Sequence, residues 1–320
     1  MTPARPPRLQ DILDRVHVVA LPMRVRFRGI TTRELALIDG PAGWGEFGAF
    51  LEYGDAEAAH WLAAALDSAY RTPPPPRRMR IDVNATVPAV DAARVPEILA
   101  RFPGARTAKV KVAEPGQTLD DDVARVEAVR ALVPTVRVDA NGAWSVDEAA
   151  AAAAALGPLE YLEQPCATVD ELAELRRRID VPVAADESIR KTTDPLAVVR
   201  AGAADVAVLK VAPLGGISAL LDIAAQIDIP VVVSSALDSA VGIAIGLAAA
   251  AALPNLRHAC GLGTGRLFVE DVAEPVAPVD GYLPVGPVTP DPARLQALAA
   301  SPQRRQWWID RITACYPLMS

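Results

Sequence analysis

Three carboxylates, Asp139, Glu163 and Asp186, fall in the contexts VRVDANGAW, YLEQPC and VAADES, and three lysines, Lys109, Lys111 and Lys210, in TAKVKV and DVAVLKVAPLGG. Each comes at or near the end of a short β-rich run. Three anionic groups gathered in one crowded pocket repel one another, and a divalent cation resolves the conflict. The ligands are hard oxygens with no histidine or cysteine beside them, which favours magnesium, or manganese, over zinc or copper. Any one of the three carboxylates alone reads equally well as a helix cap or an ion-pair partner; the whole set in register points to a metal.

Lys109 and Lys111 are two apart, so the period of a strand puts both on one face while Val110 and Val112 turn the other way, toward helices. Lysines inside a barrel need partners, and nearby carboxylates would supply them. Lys210 ends another strand four repeats later and should approach from the opposite side. An opposed lysine pair over a divalent cation suits removal of the weakly acidic proton beside a carboxylate, because the surrounding positive charge holds the enediolate that forms. The same charge lowers the pKa of the amine acting as base. These residues point to enolisation and leave the next step open, since racemisation, epimerisation, cycloisomerisation and elimination share the intermediate.

The elements that must position them repeat. Asp139 to Glu163 is 24 residues, Glu163 to Asp186 is 23, and Asp186 to Lys210 and Lys210 to Ser234 are 24 each. One strand, one helix and two short loops fit that length. Strand-like runs at 81–86, 107–112, 135–139, 160–163, 181–186, 205–210 and 229–234, with a weaker one at 256–260, alternate with alanine-rich helical segments. Eight such units predict a closed parallel α/β barrel, whose strand C-termini surround one mouth. Before them, an antiparallel meander and a helical stretch at 55–70 end at four prolines, 73–76. The boundary belongs there: residues 1–76 with the irregular tail 269–320 form a capping domain, and 77–268 the barrel.

Lesser polar candidates flank the main set. Asn141, Glu187 and Ser188 lie beside the carboxylates, and Asp205 starts the sixth strand, where bonding to lysines or ligands needs favourable strand geometry. Ser234, Ser235 and Gly261 follow the seventh and eighth strands, where backbone N–H groups could bind a substrate carboxylate. GLGTG, at 261–265, does not match a dinucleotide fingerprint. His17, His60 and His258 lie away from the strand ends that carry the metal set and read as structural.

Composition narrows the class. Net charge is -7 with the acidic excess spread out, so no basic stripe for nucleic acid forms. Cys166, Cys260 and Cys315 are too few and too far apart for a disulfide framework or a structural zinc site, which suits a reducing cytoplasm. The first residues lack the apolar core of a signal peptide, and the apolar run 241–253 is too short to span a membrane and reads as a buried helix. The expected location is cytoplasmic and the expected partner a small carboxylate substrate; oligomeric state is not legible.

The ordered motifs TAKVKV, VRVDANGAW, YLEQPC, VAADES and DVAVLKVAPLGG resemble the enolase superfamily, in its muconate-lactonising-enzyme-like branch with two opposed lysines, from about Met23 to Phe268. PMRVRFRGITTREL, GWGEFGAFLEY, the terse AEP loop and SSALDSAVG look most like the actinobacterial o-succinylbenzoate synthases of that branch. The resemblance implies a modified (β/α)8 TIM barrel of the (β/α)7β type under an α+β cap. It implies dehydration of 2-succinyl-6-hydroxy-2,4-cyclohexadiene-1-carboxylate to 2-succinylbenzoate in menaquinone synthesis. By that resemblance Asp139, Glu163 and Asp186 bind magnesium, Lys111 is base and then acid in a syn elimination, Lys109 tunes Lys111, and Lys210 stabilises the enediolate. Arg26, Arg28, Phe47 and Phe50 become candidates for closing or lining the mouth, with Arg28 facing the same side of its strand as Arg26 and suited to the succinyl carboxylate. The stretch from Phe27 to Thr31 is short where longer members carry a mobile specificity loop. An N-succinylamino acid racemase or dipeptide epimerase would use Lys111 and Lys210 as opposed bases. An inactive barrel serving as a binding protein would be expected to have lost some of the set, and none is lost.

Overall fold

The computed structural model describes residues 7–190 and 194–319. Strands β1 (Val16–Phe27), β2 (Ile30–Gly40) and β3 (Gly43–Phe47) form an antiparallel sheet in that order. From Met23 to Phe27 buried and exposed residues alternate, the mark of a strand with one face on a core. Arg28 and Gly29 both take positive φ, 51° and 78°, which closes the β1–β2 hairpin in a two-residue turn whose twist suits the strands. The helix Asp55–Tyr70 packs so closely that a Cβ on Gly45 would lie 1.9 Å from the carbonyl oxygen of Ala65, so only glycine fits. The C-terminal helix Pro302–Cys315 returns to this sheet: Arg304 and the Trp308 indole both donate to Glu34, and Trp308 meets Phe47 edge-on at 5.4 Å.

After the prolines come β4 (Arg80–Asp82) and then the parallel strands β5 (Ala85–Val87), β6 (Thr107–Lys111), β7 (Thr135–Asp139), β8 (Leu162–Glu163), β9 (Val183–Ala185), β10 (Val206–Leu209) and β11 (Val231–Val233). The last seven form one sheet in sequence order. Parallel bridges Val83–Cys260 and Ser234–Gly261 join its two edges, so Cys260 and Gly261 are the eighth stave of a (β/α)7β barrel. β12 (Tyr282–Pro284) pairs antiparallel with β4. Helices Leu119–Arg130, Val146–Ala155 and Val169–Arg176 each open on a capping box, at Thr118, Ser145 and Thr168, which fixes where strand-to-helix loops end.

Most strands are shorter than the runs that announce them, the first run being split between β4 and β5, and two are cut back sharply. The fourth pairs only over Leu162–Glu163, bracketed by Pro158 and by Pro165, which has no N–H to donate. The eighth is confined to Cys260 and Gly261, whose N–H groups donate to Asp82 and Val233; residues 256–259 follow Pro254 outside the ladder, where His258 bonds Glu160. The run 241–253 is the helix Ala240–Ala252, largely buried, and no helix among the described residues is long and apolar enough to cross a membrane.

That helix is capped from the N-terminal sheet. Glu46, on β3 and buried, accepts hydrogen bonds from Ser239 N (3.1 Å), Gly242 N (3.2 Å) and the Ser239 hydroxyl. Asp271 accepts Ala240 N at 3.0 Å. Burial, reinforced by the charge of Asp238, pushes the Glu46 carboxyl up to about 8. Its folded pKa thus exceeds its unfolded value, so its contribution is fully present below about pH 4.5 and lost as pH rises through about 8. Between about pH 6.5 and about pH 9 unfolding free energy should fall by a few kcal/mol, and Glu46→Gln should flatten the decline. Urea midpoints at the two pH values decide it; an unchanged slope in the variant would place the titration elsewhere.

Candidate active site

Parallel register lines up the chemistry. Lys111 stands opposite Asp139, and Asp139 opposite Glu163, on three neighbouring strands. Asp186, Lys210 and Ser234 each follow the last residue of β9, β10 and β11. In a ring of eight staves Lys111 sits on the second and Lys210 beyond the sixth, across the mouth from each other. Lys109, two residues below Lys111 on the same face, reaches up between two carboxylates, 3.0 Å from Asp139 Oδ2 and 2.5 Å from Glu163 Oε1. Lys111 Nζ donates to Asp139 Oδ2 (2.5 Å) and Asn141 Oδ1 (2.7 Å), and Lys210 Nζ to Asp186 Oδ2 (2.6 Å). Val110 and Val112 are buried on the helix side with Val126 and Val129.

Charge and burial pull these groups apart. Burial alone would depress Lys109, but Asp139 and Glu163 outweigh it and hold its ammonium well above the ordinary lysine value. For Lys111 burial wins: its pKa is lowered, with Lys109 adding repulsion against the pull of Asp139. The carboxylates split similarly. Against their burial, Lys109 and Lys111 keep Asp139 well below its usual range, and Lys210 and Arg190 bring Asp186 to about 2. Burial and the charges of Asp139 and Asp186 push Glu163 up to about 7, although Lys109 opposes them. One amine is thus held charged while its neighbour is eased toward the neutral base.

Among the described residues no three histidine, cysteine or acidic side chains converge closely enough to cage a metal; each of the three carboxylates leans toward a lysine. The donor set nevertheless suits a hard cation: carboxylates on three consecutive strand ends, with Glu163 Oε2 buried and without a hydrogen-bond partner. Below them Arg137, in register with Lys109, lies fully buried, donating to the Tyr161 hydroxyl at 2.7 Å and paired with Glu160 at 2.5 Å.

The remaining candidates divide. Asn141, at φ 50°, accepts from Lys111 and donates to Glu187 at 3.2 Å, tying two of them to the site. Ser188 turns its hydroxyl to the Gln164 amide at 2.7 Å. The Ser235 hydroxyl bonds the Gly261 carbonyl (2.9 Å) and Thr264 (2.6 Å), and Ser234 lies 3.4 Å from the same carbonyl. A Cβ on Gly261 would fall 2.3 Å from the Ser234 hydroxyl, which explains the glycine at the seam. Asp205 is not brought to the lysines: it is at the opposite end of β10, paired with Arg176 at 2.6 Å and accepting Val183 N. Arg28 also departs from expectation, because β1 ends at Phe27; it sits in the turn, not on Arg26's strand face, stacked 4.0 Å over Phe50. Phe47 is in the cap core, and Phe50 is buried between Arg28 and Arg33.

Sequence patterns passed over other groups. Phe27, at the tip of β1, puts its ring 5.5 Å from Lys111 Nζ. Gln164 accepts from Asp186 N (3.0 Å) and Ser188 N (3.1 Å), pinning the fifth strand's end. Arg190 pairs with Asp186 and Glu187. Its i,i+4 spacing from Asp186 was the available signal.

A lysine and carboxylate ring at the mouth of a capped (β/α)7β barrel defines an enolase-type enzyme. Residues 92–291 match the family model described as enolase C-terminal domain-like, and 18–69 the one described as enolase N-terminal domain-like. Among curated proteins, the o-succinylbenzoate synthase of Mycobacterium marinum is 80% identical over 98% of this chain and 97% of its own length. That of Mycobacterium tuberculosis is 77% identical over 100% and 98%. Among solved structures, the muconate lactonizing enzyme of Pseudomonas fluorescens complexed with muconolactone superposes with TM-score 0.76 at 23% identity, covering 89% of this chain and 98% of that one. The N-succinyl Arg/Lys racemase of Bacillus cereus gives 0.73 at 19%, covering 89% and 96%. At such identities the two structures speak for the fold alone. The chain belongs to the o-succinylbenzoate synthase family of the enolase superfamily. A divalent-metal cofactor follows from that membership.

Proposed function

We propose that the chain dehydrates 2-succinyl-6-hydroxy-2,4-cyclohexadiene-1-carboxylate to 2-succinylbenzoate, a step of menaquinone synthesis in the cytoplasm. Near-full-length identity of 80% to a curated synthase carries this reading, and the intact set of three lysines and three carboxylates supports it. Asp139, Glu163 and Asp186 would hold the cation, magnesium by preference and manganese as substitute. When bound it supplies positive charge that offsets the charge growing on the substrate carboxylate.

Lys111 takes the proton from the ring carbon bearing the carboxylate, and its depressed pKa favours the free amine this requires. The electron pair left behind moves into the carboxylate as an enediolate; its return forms the new ring double bond as the carbon-oxygen bond to the 6-hydroxyl breaks. Lys111, now an ammonium, returns the proton to the departing hydroxide, and water leaves. Lys109 stays charged and tunes Lys111, Asn141 steers its amine, and Lys210 offers charge from the far side without moving a proton. Aromatisation drives the second half. The division into a cap of 1–76 with 269–320 and a barrel of 77–268 is our reading, with β12 returning from the tail to pair with β4; Phe27, at the tip of β1, shields the reacting face.

Ultraviolet progress of the cyclohexadiene with metal-stripped protein, then with magnesium restored, tests the reading. Diene absorbance should disappear only after magnesium returns. Survival of the diene with folded, magnesium-loaded protein would discard the assignment, and α-proton exchange of N-succinylamino acids in deuterated water would then examine racemisation by the same lysines.

A further inference from the structure

The segment after β3 is held by arginines from three directions. Arg33 of β2 donates to the Gly48 carbonyl, and Arg311 of the C-terminal helix donates to the carbonyls of Ala49 (3.1 Å), Phe50 (2.9 Å) and Tyr53 (2.7 Å). From the barrel side Arg190 donates to the Tyr53 hydroxyl at 3.0 Å. The same guanidinium donates through Nε to Asp186 Oδ1 (3.0 Å) and through Nη2 to Glu187 Oε1 (2.5 Å), and its side chain is 3% exposed. Asp186 Oδ2 is left for Lys210. A guanidinium is planar and rigid, so three acceptors on one fork fix one another's directions, which an ammonium on a flexible stem would not do.

We infer that Arg190 is a positioning residue through which the cap loop carrying Tyr53 sets the orientation of Asp186, so that docking of the cap and binding of the cation at the strand ends reinforce each other. The inference rests on the proposed role of Asp186 as a ligand. Coupling of this kind is reciprocal: whatever factor a bound cation adds to the affinity for a mouth-filling carboxylate, that carboxylate adds to the affinity for the cation. Tyr53 packs edge-on against Phe50 and Trp61, at 5.6 and 6.1 Å, contacts that phenylalanine would keep.

The test measures manganese affinity of the full chain by paramagnetic resonance of the free ion, with and without 2-succinylbenzoate. Tyr53→Phe should weaken manganese binding about tenfold and shrink the enhancement that product confers, with thermal stability near wild type. Arg190→Lys, which keeps charge but loses the fork, should do the same, and adding Tyr53→Phe to it should cost little more, because the tyrosine acts through the arginine. Wild-type manganese affinity in Tyr53→Phe, or losses that simply add in the double variant, would overturn the inference while magnesium-dependent dehydration by the wild type left the functional reading standing. Dehydration by the wild type without any divalent ion would instead take the cation and its carboxylate ligands out of that reading, leaving the dehydration itself, and bring this inference down.

Discussion

Lys111→Ala should lose about 10³- to 10⁴-fold in turnover of the cyclohexadiene, with folding unaffected. The amine lies 2.5 Å from Asp139 and 2.7 Å from Asn141, at the end of β6, and alanine leaves no group in its place to accept a proton. Arginine substitutions sharpen the assignment. An arginine keeps positive charge but cannot act as base near neutral pH. Lys111→Arg should therefore be nearly as inactive as the alanine variant, while Lys210→Arg, whose proposed role is charge alone, should retain far more activity than Lys210→Ala. Diene absorbance in single turnovers ranks the four. If Lys210→Arg proves as dead as Lys111→Arg, Lys210 moves a proton as well; if it is dead while Lys111→Arg turns over, the roles must be exchanged.

Glu163→Gln should separate function from stability. One carboxylate oxygen accepts from Lys109 and the other is buried without a partner, and repulsion from Asp139 and Asp186 adds to burial in lifting its pKa to about 7. A neutral isostere relieves that repulsion, so the melting temperature should hold or rise. Catalysis should collapse, by about 10³-fold or more, because the proposed cation ligand becomes a weaker neutral one and the charge that offsets Lys109 is lost. Calorimetric titration with manganese and a thermal melt on the same sample measure both. A variant that melts well below wild type would mean that the Lys109–Glu163 pair contributes more to folding than its crowding takes away.

Why the barrel was legible in the sequence, and other parts were not, is itself physical. A repeat of 23 or 24 residues with a charged or polar group at each strand end is a local pattern, and parallel register converts it directly into neighbours: Lys111, Asp139 and Glu163 stand in line because β6, β7 and β8 pair in phase. The seam is a different matter. Residues 256–260 carry only a weak strand pattern, with Arg257 and His258 inside it, and pairing at Cys260 and Gly261 is decided by Val83, far back in the chain, together with Ser234. Asp205 was ambiguous since strand period fixes a face and not an end. Tyr53 and Arg190 meet through the packing of cap on barrel, and no spacing in the chain announces a contact 137 residues long.

The sheet of β1 to β3 is completed by residues near the other end of the described chain: Val19 bridges Ala299, and Glu34 receives Arg304 and Trp308. During synthesis, at about 5–20 residues per second, the first strands must therefore wait on the order of ten seconds or more for their partners to emerge. Through that interval one face of the sheet lies open, with Phe47 still waiting for Trp308 of the helix Pro302–Cys315. Order of manufacture thus makes the emerging amino-terminal sheet the segment of this enzyme most in need of a chaperone.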